Sequence, residues 1–193
     1  MSESFPSLSN PNDNSMIDIW IPLSLSGESV EKIKRLRETL SENVPEVFIE
    51  ETDPHISIIP GAKIPEEQYD SLEDTVAEIE LPTDTIEIEG LSVYPLDAPD
   101  VILLDATVDV DEIRESLVEE IYDLGGELVY SPVDPHITLF KQPPFSKNTQ
   151  QLSYSIGGLH RRLEAYNQDQ TIETHWNEQE YQIEVVEYDA ASE

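Results

Sequence analysis

Apolar and polar residues alternate over 16–23 (MIDIWIPL), the period of a strand with one buried face. The period then lengthens. Val30, Ile33, Leu36 and Leu40 recur at helical spacing and predict a helix over 29–40. A short strand at 47–49 leads to a second strand at 55–59, which Pro60-Gly61 ends. Pro65 suits the first position of a helix whose inner stripe is Tyr69, Leu72, Val76 and Ile79. Alternation returns at 85–94 as a further strand.

The same order then restarts. Residues 101–108 predict a strand, and 111–124 a helix with Ile113, Leu117, Ile121 and Leu124 inward and Gly125-Gly126 as its stop. Residues 127–130 form a short strand and 136–141 a longer one. Leu152, Ile156, Leu159 and Leu163 mark another helix, and 171–177 with 181–188 form a closing hairpin. Both halves therefore run strand, helix, short strand, strand, helix, strand. The halves are about 16–95 and 101–188, within one bilobal domain at 16–189. Residues 1–15 read as a flexible tail without the basic start and apolar run of a signal peptide, and 190–193 as a second tail.

The duplication extends to chemistry. Asp53-Pro54-His55-Ile56-Ser57-Ile58 returns 81 positions later as Asp134-Pro135-His136-Ile137-Thr138-Leu139. Alternate strand residues share a face. His55 and Ser57 therefore point one way and Ile56 and Ile58 the other, as do His136 and Thr138 against Ile137 and Leu139. Side by side, the two strands would set two imidazoles and two hydroxyls around one space, a general acid, a general base and two anion-positioning donors.

Composition narrows the setting. There is no cysteine, which excludes disulfides, thiolate metal sites and thiol nucleophiles. No run of 18 apolar residues occurs, so neither a membrane span nor a membrane partner is expected. Forty-two acidic residues against ten basic ones give a formal net charge of −32. The acids are spread through patterned helices and strands, and lysine is scarce, so the chain reads as a folded halophilic protein from an archaeon or its virus. A high-salt cytosol, or a virion, is the expected location. The other reading is an acidic mesophilic protein with basic partners. An anionic ligand is compatible with this charge in molar salt, where the Debye length is about 3 Å. It would be held by short hydrogen bonds. Extended duplex nucleic acid is not an expected partner, for want of a basic face.

Other candidates have plainer readings beside them. Asp53 and Asp134 would complete a four-ligand metal site with the two histidines, but the intervening proline suits a turn into each strand better. Lys32, Lys34, Arg35 and Arg37 form a basic cluster able to guide RNA. They also pair with acids on a solvated helix face, as Glu28–Lys32, Glu31–Arg35 and Lys34–Glu38. Tyr94, Tyr130, Phe140 and Trp176 are possible base-stacking aromatics; Phe140 shares the strand phase of His136 and is the first choice. His160 and His175 have no matching partner.

With these residues in view, the chain resembles the 2H phosphoesterase superfamily, named for its two His-x-Ser/Thr motifs. Within it, the chain is similar to the LigT-like RNA 2′,3′-cyclic phosphodiesterases, also called 2′-5′ RNA ligase family proteins. His55-Ile56-Ser57-Ile58 and His136-Ile137-Thr138-Leu139 carry the resemblance, which spans roughly 16–188. It implies an α+β, bilobal, duplicated fold: two antiparallel-rich sheets around a central groove, with helices outside. One of His55 and His136 would act as general base and the other as general acid, with Ser57 and Thr138 holding phosphate oxygens. Lys141 would be the basic residue that often follows the second motif. No cofactor and no metal are implied. The substrate would be a 2′,3′-cyclic phosphate or 2′-5′ linkage of a small nucleotide or RNA end. The alternative is a non-catalytic binding or assembly module on the same fold, with protein partners, for example in a halophilic virus.

Overall fold

The structure is a computed structural model and describes residues 15–43, 48–49, 53–82, 85–94, 101–141 and 156–188. Its elements follow the duplicated order. The first half holds β1 (Met16–Leu25), α1 (Gly27–Asn43), β2 (Phe48–Ile49), β3 (His55–Pro65), α2 (Tyr69–Ala77) and β4 (Ile86–Tyr94). The second holds β5 (Val101–Thr107), α3 (Asp111–Asp123), β6 (Glu127–Leu128), β7 (His136–Lys141), α4 (Ile156–Gln168) and β8 (His175–Glu178). Two short strands close the described chain, β9 (Tyr181–Ile183) and β10 (Val186–Glu187).

The ten strands among the described residues belong to one antiparallel sheet, seven of them in the order β10-β1-β3-β7-β5-β4-β8. This corrects the expectation of two sheets, since β3 and β7 join the halves directly. The short strands exchange between halves: β2 pairs with β7, and β6 with β3. β8 and β9 are not a hairpin either. β8 pairs with β4 at one end of the sheet and β9 with β1 at the other. Only Gln179 and Glu180 lie between them. A chain can cross from one end of a sheet to the other in two residues only if the sheet rolls until its ends meet. The result is a nearly closed antiparallel sheet with four α-helices among the described residues. The seam is tied by Ser26 N–H to Glu180 O at 3.1 Å and Trp176 Nε1–H to Ser29 Oγ at 2.7 Å. Buried Glu178 accepts the amides of Gln179 and Glu180 at 2.7 and 2.6 Å, which shapes the crossing.

The predicted apolar stripes make the core. Ile33, Leu36 and Leu40 of α1 and Leu117 and Ile121 of α3 are buried with Ile19, Ile21 and Leu23 of β1 and with Ile56, Ile58, Ile137 and Leu139. Each such side chain contributes about 1.5–3 kcal/mol when fully buried. No helix among the described residues is long and apolar enough to cross a membrane.

Two predicted boundaries move. β3 does not end at Pro60-Gly61 but continues to Pro65. Proline lacks the ladder's N–H, and it is accommodated at an irregularity: Ile19 pairs with Ala62 and Ile21 with Ile59, so that Pro60 and Gly61 together stand against the single residue Trp20. Pro65 therefore ends a strand, and a 3-10 turn at Glu66–Gln68 separates it from α2. Leu152, in the stripe predicted for α4, lies outside the described residues.

The stop after α3 is as predicted. Gly125 adopts φ +83°, and Gly126 N–H reaches Ile121 O at 2.8 Å. A Cβ on Gly126 would lie 2.5 Å from Lys63 O and 2.9 Å from Ile121 O, both backbone atoms. Gly126→Ala is expected to destabilise the protein by about 1–3 kcal/mol, as overpacking does, read from denaturant unfolding at constant salt.

Candidate active site

β3 and β7 lie side by side, antiparallel, with Ile56 opposite Ile137. Both isoleucines are buried, so the residues flanking them belong to the other face. His55, Ser57, His136 and Thr138 all keep partial exposure. Continuing the register one step each way sets Thr138 across from His55, and His136 across from Ser57. Directly opposed Cβ atoms are about 4.5–5.5 Å apart and diagonal neighbours about 7–8 Å. The two histidines occupy one diagonal of this square and the two hydroxyls the other.

The repeat holds at the level of single hydrogen bonds. His55 Nδ1 lies 2.8 Å from Asp53 O, and His136 Nδ1 lies 2.7 Å from Asp134 O. A carbonyl only accepts, so Nδ1 carries the proton in both rings and Nε2 is the basic nitrogen of the neutral form. The intervening prolines restrict the preceding aspartates to extended backbone. Pro54 O accepts Leu25 N–H at 3.0 Å, and Pro135 O accepts Ala106 N–H at 3.3 Å. The aspartates thus serve through their main chains, a role that sequence reasoning missed; the signal was the repetition of Asp-Pro itself. Among the described residues there is no group of three or more His, Cys, Asp or Glu able to hold a metal ion.

Each motif strand also bulges at the same place. Pro22 pairs with Ser57 and Ile21 with Ile59, which leaves Ile58 over. Leu103 pairs with Thr138 and Ile102 with Phe140, which leaves Leu139 over. The bulge shifts the alternation by one residue. Phe140 therefore joins the core, 1% exposed, and cannot be the stacking residue that strict alternation predicted. Of the other aromatic candidates, Tyr130 is 57% exposed beside Gly61, and Trp176 belongs to the seam. Lys141 ends β7 opposite Phe48, but its side chain, like that of Tyr94, lies outside the described residues. His160 is on α4 and His175 on β8, away from both motifs.

The surroundings of the two rings differ. Trp20 meets His55 edge-on, with ring centroids 4.5 Å apart and planes at 75°. Its duplicated position, 81 residues on, is Val101. Across the ladder His55 faces Ser24, whereas His136 faces Asp105, whose carboxylate accepts Ser92 Oγ–H at 2.6 Å. Trp20 was missed, although it lies in the polar phase of β1 with Asp18 and Ser24.

Two arginines reach the motif strands from behind. Arg114 of α3 donates through Nε to Ile58 O at 3.2 Å and through Nη2 to Ser57 O at 3.1 Å. Arg37 of α1 donates through Nη2 to Thr138 O at 3.1 Å. They are 9% and 7% exposed. Burying a guanidinium costs several kcal/mol, and burial lowers the Arg114 pKa against the opposing pull of Asp111 and Asp134. Arg37 thus leaves the solvated basic cluster expected of it. Of the others, Lys32 pairs with Glu173 at 2.8 Å and Glu28 at 3.5 Å, Lys34 pairs with Glu31 at 3.1 Å, and Arg35 donates through Nε to the main-chain oxygen of Glu31 at 3.2 Å. Both arginines fall within the apolar stripes of their helices, the sequence signal that would have found them.

No family model matches the sequence, and no curated protein matches it. Solved structures do. The MHV ns2 PDE domain matches with a TM-score of 0.53 at 17% identity, over 89% of this chain and 99% of that one. TT0787 of Thermus thermophilus matches with a TM-score of 0.55 at 19% identity, over 67% of this chain and 76% of that one. The fold resembles that of 2H phosphoesterases. At these identities the likeness is one of fold.

The Nδ1 contacts generate a spectroscopic expectation. With both rings neutral, ¹⁵N shifts should report the Nδ1–H tautomer for His55 and His136, the minor form of free histidine. Nε2–H tautomers for the pair would contradict the arrangement.

Proposed function

We propose that the protein is a metal-independent phosphodiesterase of the 2H type. Its substrate is a 2′,3′-cyclic phosphate or 2′-5′ linkage of a small nucleotide or RNA end, taken into a groove over β3 and β7. The observation that carries the reading is the paired anchoring of the histidines. Two imidazoles, on adjacent strands related by the Ile56–Ile137 register, are held through Nδ1 by the same main-chain contact. The similarity of fold supports it.

The chemistry follows from the groups present. The neutral imidazole takes a proton at Nε2 from water as its oxygen bonds to phosphorus. The protonated imidazole gives its Nε2 proton to the departing ribose oxygen as the P–O bond breaks. Ser57 and Thr138 donate hydroxyl protons to the non-bridging oxygens, whose charge rises in the transition state. The substrate enters without a cationic surface to attract it, held by short-range bonds in a salt-rich cytosol.

The test is turnover in molar salt with EDTA, using 2′,3′-cyclic nucleotides and short 2′-5′ and 3′-5′ oligonucleotides. Activity should survive chelation. His55→Ala and His136→Ala should each lower kcat by about 10²–10⁴-fold. The double variant should be little worse than either alone, because the two rings act in one step. Ser57→Ala and Thr138→Ala should cost less. Near-normal turnover after loss of either histidine would refute the mechanism. A folded protein inert to all these substrates would point instead to a non-catalytic binding or assembly module.

A further inference from the structure

The motif strands meet at Ile56 and Ile137 and bulge just past their hydroxyl residues. At those bulges the main chain is held by side chains from the opposite half. Arg114, on a helix of the second half, takes the carbonyls of Ser57 and Ile58 in the first. Arg37, on a helix of the first half, takes the carbonyl of Thr138 in the second. The contacts are exchanged between halves, and each ends on the main chain of the residue whose hydroxyl would hold phosphate.

The duplication shows that these charges are not a packing requirement. Shifted by 81 positions, Arg114 corresponds to Ile33 and Arg37 to Val118. At each site the other half fills the same helical position with an aliphatic residue, one of them fully buried. The arginines sit one helical turn apart in the repeat, yet both reach a motif carbonyl. Arg114 uses two nitrogens of its planar fork on consecutive carbonyls, a geometry that lysine does not reproduce. Its helix is anchored by Leu117 and Ile121, and that of Arg37 by Leu36 and Leu40, so each guanidinium hangs from a rigid element. Asp134, which holds His136 through its carbonyl, also acts electrostatically on Arg114.

We propose that Arg37 and Arg114 are positioning residues: a reciprocal pair of clamps that sets the spacing of the two motifs across the junction of the halves. The clamps rest on the two-histidine reading for their effect on catalysis, but not for their effect on the motif strands. Moving a clamped carbonyl turns its peptide plane and displaces the attached Ser57 or Thr138, and with it the neighbouring ring.

The experiment compares Arg114→Lys, Arg114→Met, Arg37→Lys and Arg37→Met in the full chain at molar salt, with folding followed by circular dichroism. On a 2′,3′-cyclic nucleotide, each Met variant should lose about 10²-fold in kcat, the scale of a 1 Å misplacement, while KM stays near the wild-type value. Arg114→Lys should fail to restore kcat. Native-state hydrogen exchange supplies a readout that needs no turnover. Amides at 55–58 and 136–139 should exchange on the order of tenfold faster, while those of β4 exchange as in the wild type. Folded Met variants with wild-type exchange at the motif strands, or with wild-type kcat, would overturn the clamps. A fall in protection spread evenly over the sheet would reduce them to structural residues and overturn the proposal too. If a Met variant does not fold, the Lys variants decide by the same two readouts. Faster motif exchange in the variants, with a wild type that turns over none of the probes, would retain the clamps and remove the two-histidine reading.

Discussion

The pairing of Ile56 with Ile137 is the contact on which the rest depends. It is where the two motif strands meet within the sheet, and it is the centre about which the repeated motifs are arranged. A one-residue slip would turn every side chain of one strand to the opposite face. The core resists that slip, because exposing Ile56, Ile58 or their counterparts forfeits about 1.5–3 kcal/mol for each side chain. The geometry of the polar face is thus maintained by the apolar face beneath it. Neither histidine has to contribute to stability in order to be held in place.

Around this centre the repetition is closest where chemistry would need it and fails where chemistry would need a difference. The Nδ1 contacts, the proline carbonyl contacts and the bulges at Ile58 and Leu139 all recur. The neighbours of the two rings do not. Trp20 and Ser24 stand by His55, and Asp105 with Ser92 by His136. A reaction in which one ring takes a proton while the other gives one requires unlike surroundings for like groups. The repeated motif supplies the pair, and the differing neighbours on the flanking strands supply the asymmetry.

The excess of acid shapes the same site from outside. In a chain of net charge −32, two of its ten basic residues, Arg37 and Arg114, are buried behind the motif strands. Molar salt screens exposed charges within about 3 Å but leaves buried ones much less affected. Surface lysine and arginine would lose most of their reach in that solvent, whereas guanidinium groups behind the motif strands keep theirs.

Periodicity carried most of the secondary structure, because a strand or helix with one buried face must repeat its apolar residues at two or about 3.6 positions. The repeat of Asp-Pro-His-x-Ser/Thr carried the candidate site, since equal local sequence in equal elements makes equal local geometry. What local pattern could not reveal depended on contacts between distant segments. Phe140 is buried because β7 bulges against β5, and no alternation within β7 records that. The last strands divide between the two ends of the sheet, because a rolled sheet brings its ends together while a linear reading sees only two neighbouring strands. Arg37 reads as a surface cation until α1 is laid on β7. The chain determines which faces are apolar and which residues repeat. Only the tertiary structure decides which faces meet, because register, bulges and burial of charge are settled by the partner across the contact.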